Sequence, residues 1–209
     1  MPEGIISQHL NRRFSRPLAR ILALTPVTPN FISFLSFLTG LGAGIAFLKG
    51  QNLLGGILTQ IASVMDGVDG DLARLKGMVS PFGAFFDAVL DRYADAAIVL
   101  GMTWWSIQHE GFAGTWLVGI LALLGSLMVS YSRARAEASL RAESNIPLLS
   151  RLAGRDTRLF LVMLGGVLGK GYWTLLALTI LTHLTVLLRI LYFARSMAVN
   201  DQAQSKEGR

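Results

Sequence analysis

The run Asp66-Gly67-Val68-Asp69-Gly70-Asp71-Leu72-Ala73-Arg74, followed after eight residues by Gly83, Asp87 and Asp91, decides how this chain folds. On a helix, residues three or four apart share a face. Asp66, Asp69, Gly70, Ala73 and Arg74 therefore line one face, and Gly83, Asp87 and Asp91 line another. The connector Leu75–Phe82 carries Gly77, Ser80 and Pro81 and is long enough to turn the chain. The spacing predicts an antiparallel helical hairpin that brings four carboxylates together. Such groups repel unless cations sit between them. An ion-pair network with Arg74 and Arg92 is the plain alternative to a cation site.

Outward from this hairpin the chain is apolar. Its 209 residues are 52% hydrophobic and 15% charged, and its mean hydropathy is +0.51. A soluble domain carries about 25% charged residues. Six stretches approach the roughly 20 helical residues that span a bilayer. They are Phe31–Leu48, Leu53–Leu75, Phe82–Ile107, Phe112–Tyr131, the short Leu159–Gly169, and Tyr172–Phe193. Of the 19 Lys and Arg residues, all but Lys49 and Lys170 fall on one side of that arrangement. By the positive-inside rule this predicts six spans with both termini and the aspartates at the cytoplasmic face of the cell membrane. The net charge of +6 then reads as a topology signal. Its dispersal over several short loops argues against a nucleic-acid patch.

Residues 1–24 place Arg12, Arg13, Arg16 and Arg20 opposite Ile5, Ile6, Leu10, Phe14, Leu18, Ile21 and Leu22. This predicts an amphipathic helix lying on the membrane surface. The expected fold is thus an all-α integral membrane protein, with that helix and six spans in one domain over 1–199. A polar, frayed tail is expected over 200–209. Gly40 and Gly44 form a G-x-x-x-G that fits close packing within the monomer ahead of a homodimer seam. Without cysteine there are no disulfides or thiolate metal sites.

Carboxylates suit hard divalent ions, Mg²⁺ or Mn²⁺, and His9, His109 and His183 are too scattered for a histidine zinc site. Paired ions about 4 Å apart support in-line displacement at phosphorus. Gly70 and Gly83 leave room for a substrate close to the helices, and Arg74 offers donors suited to phosphate. A divalent-cation transporter is the competing class. It would need acids along a path to both faces, whereas here they sit toward one.

The pattern D-x2-D-G-x2-A-R-x8-G-x3-D-x3-D resembles the signature of the CDP-alcohol phosphotransferase (phosphatidyltransferase) family. It is met at Asp66, Asp69, Gly70, Ala73, Arg74, Gly83, Asp87 and Asp91. The surface helix with six spans, and Ser130-Tyr131-Ser132-Arg133-Ala134-Arg135-Ala136-Glu137, are also similar to the family. The resemblance implies transfer of a phosphoryl-alcohol or phosphatidyl group from a CDP-alcohol or CDP-lipid to an acceptor hydroxyl, releasing CMP. It implies that Asp66, Asp69 and Asp87 hold two metal ions. Asp91 would be a ligand or near neighbour of the metal and the general base. Gly70, Ala73, Arg74 and Gly83 would border the CDP, with Thr28, Pro29 and Asn30 reaching the nucleotide.

The segments 11–17 (NRRFSRP) and 154–160 (GRDTRLF) resemble the transferase domain of di-myo-inositol phosphate phosphate synthases. This leans the acceptor toward an inositol phosphate, in lipid or inositol-phosphodiester synthesis. Arg133 and Arg158, then Arg155 and Arg195, are the candidates for its phosphate. Family members using glycerol phosphate or serine are the alternative. Asp71 is expected to be solvated, and Asp95 to pair with Arg92 or a neighbouring helix.

Overall fold

The computed structural model describes residues 11–139 and 153–207, with side chains over 11–138 and 153–195. These residues form seven helices and no strand. They are α1 (Arg12–Ala23), α2 (Pro29–Leu48), α3 (Asn52–Leu75), α4 (Pro81–His109), α5 (Thr115–Ser139), α6 (Arg155–Leu168) and α7 (Gly171–Glu207). Ile5, Ile6 and Leu10 of the expected surface helix lie outside the described residues.

Local chemistry starts and stops these helices. Thr28 caps α2, its hydroxyl accepting from Phe31 N at 3.3 Å, and Pro29 takes the first helical position. Ser80 caps α4 in the same way, accepting from Gly83 N at 3.0 Å ahead of Pro81. A hydroxyl cap satisfies an orphan N–H, and proline there loses nothing because its missing N–H would be unpaired anyway. Gly77, at φ +65°, supplies the left-handed residue that ends α3. The α3–α4 hairpin foreseen from the aspartate spacing therefore forms, with its turn where Gly77, Ser80 and Pro81 fall.

The helices pack through small residues. A Cβ on Gly44 would lie 2.8 Å from the carbonyl carbon of Ala97, so α2 and α4 cross with their backbones in contact. The G-x-x-x-G is thus used inside the monomer. The α3–α6 crossing is equally close, with a Cβ on Gly56 reaching 2.9 Å from Met163 O. Above these crossings one core gathers Phe47, Ile98, Met102, Val162, Leu175 and Leu178 from four helices. A second, smaller core seats α1 on α2 and α3 through Ala19, Ile32, Val68 and Leu72.

Three helices are long and apolar enough to cross a membrane: Pro29–Leu48, Thr115–Ala138 and Gly171–Arg195. They expose Phe31, Leu38, Ile120, Leu124, Ile180 and Leu187, as lipid-facing helices do. The remaining three expected spans do not meet that measure, for two reasons. Helices α3 and α4 have 24 and 29 residues, but carry the charged residues of the hairpin. Helix α6 has 14 residues, about 21 Å at 1.5 Å per residue, against a hydrocarbon core of about 30 Å. At the C-terminus α7 continues to Glu207, so residues 200–207 are helical where the sequence reads as a frayed tail.

Candidate active site

Helix α3 presents Asp66 and Asp69 on successive turns, and α4 presents Asp87 and Asp91 one turn apart. Ligand oxygens of Asp66, Asp69 and Asp87 all lie within 4.8 Å of one another. Asp69 is the most enclosed, at 5% exposure. One of its oxygens accepts from Ser33 Oγ of α2 at 2.5 Å, and the other accepts from Gly70 N. Three carboxylates held this closely by two helices and a serine form a hard, oxygen-only donor set, which fits a divalent ion such as Mg²⁺ or Mn²⁺.

Asp91 has a different setting. Its Oδ1 lies 2.9 Å from Arg155 Nη1 and its Oδ2 accepts from Arg92 at 3.2 Å. The same Arg155 Nη1 lies 2.9 Å from Asp66 Oδ1, and Arg155 Nε donates to Asp95 Oδ1 at 2.9 Å. Arg158, 4% exposed, lies 3.4 Å from Asp95 Oδ2 and donates to the Ser126 carbonyl of α5 at 2.8 Å. Asp95 is thus a buried anchor for two guanidiniums at the start of α6. Its pairing with a neighbouring helix agrees with the sequence expectation. Arg155 Nη2 and Arg158 Nε are buried and have no hydrogen-bond partner among the described residues. Buried donors of this kind are rare unless something else completes them.

The other acceptor candidates lie apart. Arg133 donates to Glu137 at 3.0 Å along α5, and Arg195 is exposed on α7. Of the four arginines, the structure brings Arg155 and Arg158 to the aspartates. These are one from each pair in the expected order, because α6 starts beside Asp91 and Asp95.

Around the hairpin turn a cavity of about 390 Å³ is lined by Thr28, Pro29, Asn30, Met78, Val79 and Ser80. Gly83 borders it: a Cβ there would lie 3.1 Å from Asn30 Oδ1. Gly70 faces the Arg74 guanidinium, 3.7 Å from where its Cβ would be, and Ala73 is half-buried. Arg74 extends largely into solvent and donates to Asp71 at 2.7 Å.

Asp71 is a correction. It is not solvated: at 8% exposure it accepts from Ser15 Oγ at 3.1 Å, from Arg74, and from Arg12 of α1. The sequence held no signal for this, since Arg12 reads as part of the basic face of α1 and only packing turns it toward α3. Ser33 was also missed, because a lone serine in an apolar span carries no sign of its partner.

Residues 26–188 match the family model described as CDP-alcohol phosphatidyltransferase. A bifunctional IPC transferase and DIPP synthase of Rubrobacter xylanophilus is 46% identical over 195 residues, covering 92% of this chain and 43% of that protein. The chain therefore spans less than half the length of this relative. An archaetidylinositol phosphate synthase of Pyrococcus horikoshii is 33% identical, covering 85% of this chain and 91% of its own. The crystal structure of Mycobacterium tuberculosis phosphatidylinositol phosphate synthase with CDP-DAG bound superposes with a TM-score of 0.72 at 26% identity, over 85% of this chain and 92% of that one. The same enzyme in complex with manganese and citrate gives a TM-score of 0.70 over 85% and 87% of the two chains.

Proposed function

This chain belongs to the CDP-alcohol phosphatidyltransferase family, and from that premise we propose that it transfers the phosphoryl-alcohol or phosphatidyl group of a CDP-alcohol to a hydroxyl of an inositol-phosphate-type acceptor, releasing CMP. The observation that carries the reading is the meeting of Asp66, Asp69 and Asp87 beside Arg155 and Arg158, each with a buried donor left unfilled.

Asp66, Asp69 and Asp87 hold the metal, with Asp91 as an additional ligand or neighbour. When bound, divalent ions withdraw charge from the phosphoryl oxygens and steady the departing CMP. Charge balance supports cations at the site. Five carboxylates (Asp66, Asp69, Asp87, Asp91, Asp95) face three guanidiniums (Arg92, Arg155, Arg158). The excess negative charge, deepened by a diphosphate, is offset by divalent ions, and we take their number as two.

The nucleotide enters between Gly70, Ala73, Arg74 and Gly83, with Asn30 at its edge. A bare Gly83 beside Asn30 leaves space for a planar ring or sugar. Asp91 takes the proton of the acceptor hydroxyl, and Arg92 and Arg155 hold its carboxylate in place. Arg155 Nη2 and Arg158 Nε bind the acceptor phosphate by charge-assisted hydrogen bonds. Arg133 and Arg195, at the same ends of α5 and α7, add positive charge for an anionic acceptor. In this reading six helices span the cell membrane, with both termini and the site at its cytoplasmic face.

A CMP-release assay decides the reading. CDP-diacylglycerol, CDP-inositol and a CDP-linked ether lipid are each offered with inositol phosphate, inositol, glycerol phosphate or serine. Divalent-dependent release with inositol phosphate above the other acceptors is expected. Preference for glycerol phosphate or serine would replace the acceptor assignment, and release without any divalent ion would remove the metal from the reaction.

A further inference from the structure

Away from the aspartates, the ends of α5 and α7 enclose a second groove of about 490 Å³. It is lined by Met128, Tyr131, Ser132 and Arg135 of α5 and by Val186, Arg189, Ile190, Phe193 and Ala194 of α7, with Ala136 at its edge. Both helices are among those apolar and long enough to cross a membrane. They run parallel, as Thr179 donates to Val118 O near one end and Arg189 to Val129 O near the other.

Arg189 is 7% exposed. One of its terminal nitrogens donates to Val129 O at 2.6 Å and to Ser132 Oγ at 2.5 Å. Its Nε is buried without a hydrogen-bond partner, and no carboxylate among the described residues forms an ion pair with it. The charge of Glu137 reaches Arg189, but Glu137 is engaged by Arg133, whose own charge repels Arg189, so the burial of this guanidinium is incompletely compensated and costly. Arg135 adds a second positive charge on the same groove, and it is exposed.

Depth identifies the counter-charge. Arg189 lies 18 residues from the start of α7 and Arg135 lies 20 from the start of α5. At 1.5 Å per residue these are about 27 and 30 Å, the thickness of a hydrocarbon core. The two guanidiniums therefore sit at headgroup level. Met128, Val186 and Ile190 line the part of the groove level with the acyl chains. A soluble anion would be matched by a polar cavity, but this one is apolar apart from its arginines, Ser132 and the Tyr131 hydroxyl.

We propose that the α5–α7 groove binds one anionic phospholipid of the surrounding bilayer, with its headgroup phosphate on Arg189 and Arg135 and an acyl chain along Met128, Ile190 and Phe193. This lipid is a fixed component of the protein and is separate from the donor at the aspartates. It completes the charge of Arg189, which in turn holds the α5 turn Val129–Ser132.

The test uses the full chain, purified in neutral detergent and stripped of lipid. Native mass spectrometry then follows added phosphatidylglycerol, phosphatidylcholine and inorganic phosphate. One phosphatidylglycerol is expected to bind about tenfold more tightly than phosphatidylcholine, whose quaternary ammonium beside the phosphate repels Arg189 and Arg135. Arg135→Ala should weaken it severalfold, Ile190→Trp should abolish it by filling the groove, and Leu184→Trp on the neighbouring lipid face should leave it intact. Arg189→Lys, which keeps the charge, covers the case in which Arg189→Gln fails to fold. Equal affinity for the two lipids overturns the proposal, as does an adduct indifferent to Ile190→Trp. So does displacement by millimolar phosphate, which marks a free-anion site. A raised acceptor KM in Arg135→Ala with the lipid adduct unchanged assigns the groove to the transfer site instead.

Discussion

At the residue scale, the site separates two kinds of aspartate. Asp87 lies among like charges, while Asp95 lies between two guanidiniums. Asp87→Asn removes a repulsion, so in EDTA the variant is expected to melt at or above the wild-type temperature while CMP release at saturating Mg²⁺ falls at least a hundredfold. Near-normal release would remove Asp87 from the metal set. Asp95→Asn does the opposite: it strands Arg158 and takes one of three carboxylates from Arg155, and breaking a buried ion pair costs about 3–5 kcal/mol. Thermal melting reads the difference, and an Asp95→Asn protein as stable as wild type contradicts the anchoring role. Arg158→Ala should raise the acceptor KM about tenfold to a hundredfold, the worth of a charge-assisted contact, with a smaller change in the donor KM. Inositol phosphate should suffer and free inositol should not. If Arg133→Ala matches that effect, the α5 guanidinium leaves Glu137 when the acceptor binds.

At the element scale, α1 is held to α3 by one buried carboxylate. Arg12 and Ser15 of α1 and Arg74 of α3 converge on Asp71, next to the small core of Ala19 and Leu72. The hold also has a polar end, where Asn11 donates to Ser63 Oγ at 3.0 Å and Gln60 donates to Asn11 at 2.9 Å. Asp71→Ala should release α1 without unfolding the bundle. Hydrogen exchange over residues 12–23 should then rise at least tenfold, while α4 and α7 keep their protection. Equal protection of α1 in the variant would mean that the apolar seat alone suffices. The α2–α4 crossing is less forgiving. Gly44 and Gly101 meet backbone to backbone, so Gly44→Leu should abolish folded expression, whereas Gly77→Ala in the turn should cost only the strain of a left-handed alanine, about 1 kcal/mol.

At the scale of the whole molecule, the aspartates, the unfilled arginines and the lipid groove all lie toward the same ends of the helices. The opposite ends meet at Glu110, which accepts from Ser106 Oγ and Tyr172 N at 2.6 Å each. A membrane protein so divided has one chemical face. The absence of cysteine makes its orientation measurable. A single cysteine at Ser80 should label from the cytoplasmic side with an impermeant maleimide, and one at Gln108 from the other side. Labelling of both from one side would refute the six-span topology and point first to the short α6.

The order of apolar segments, the helical hairpin and its turn, the identity of the family and the meeting of Asp66, Asp69 and Asp87 were legible in the sequence. Each depends on near neighbours: helical periodicity, caps, proline and glycine, and a fixed spacing of carboxylates along two adjacent helices. What only the tertiary structure decided depends on residues far apart in the chain. Ser33 finds Asp69 across 36 residues, and Arg155 finds Asp95 across 60. Asp71 is drawn out of solvent by α1, and Arg189 meets α5 across 60 residues with no ion-pairing carboxylate among the described residues. A charged side chain looks the same in sequence whether it anchors a helix end, neutralises a carboxylate or waits for a phosphate. Which of these it does is set by the partner that packing brings within about 3 Å, since only at that range does an ionic hydrogen bond offset the cost of burial.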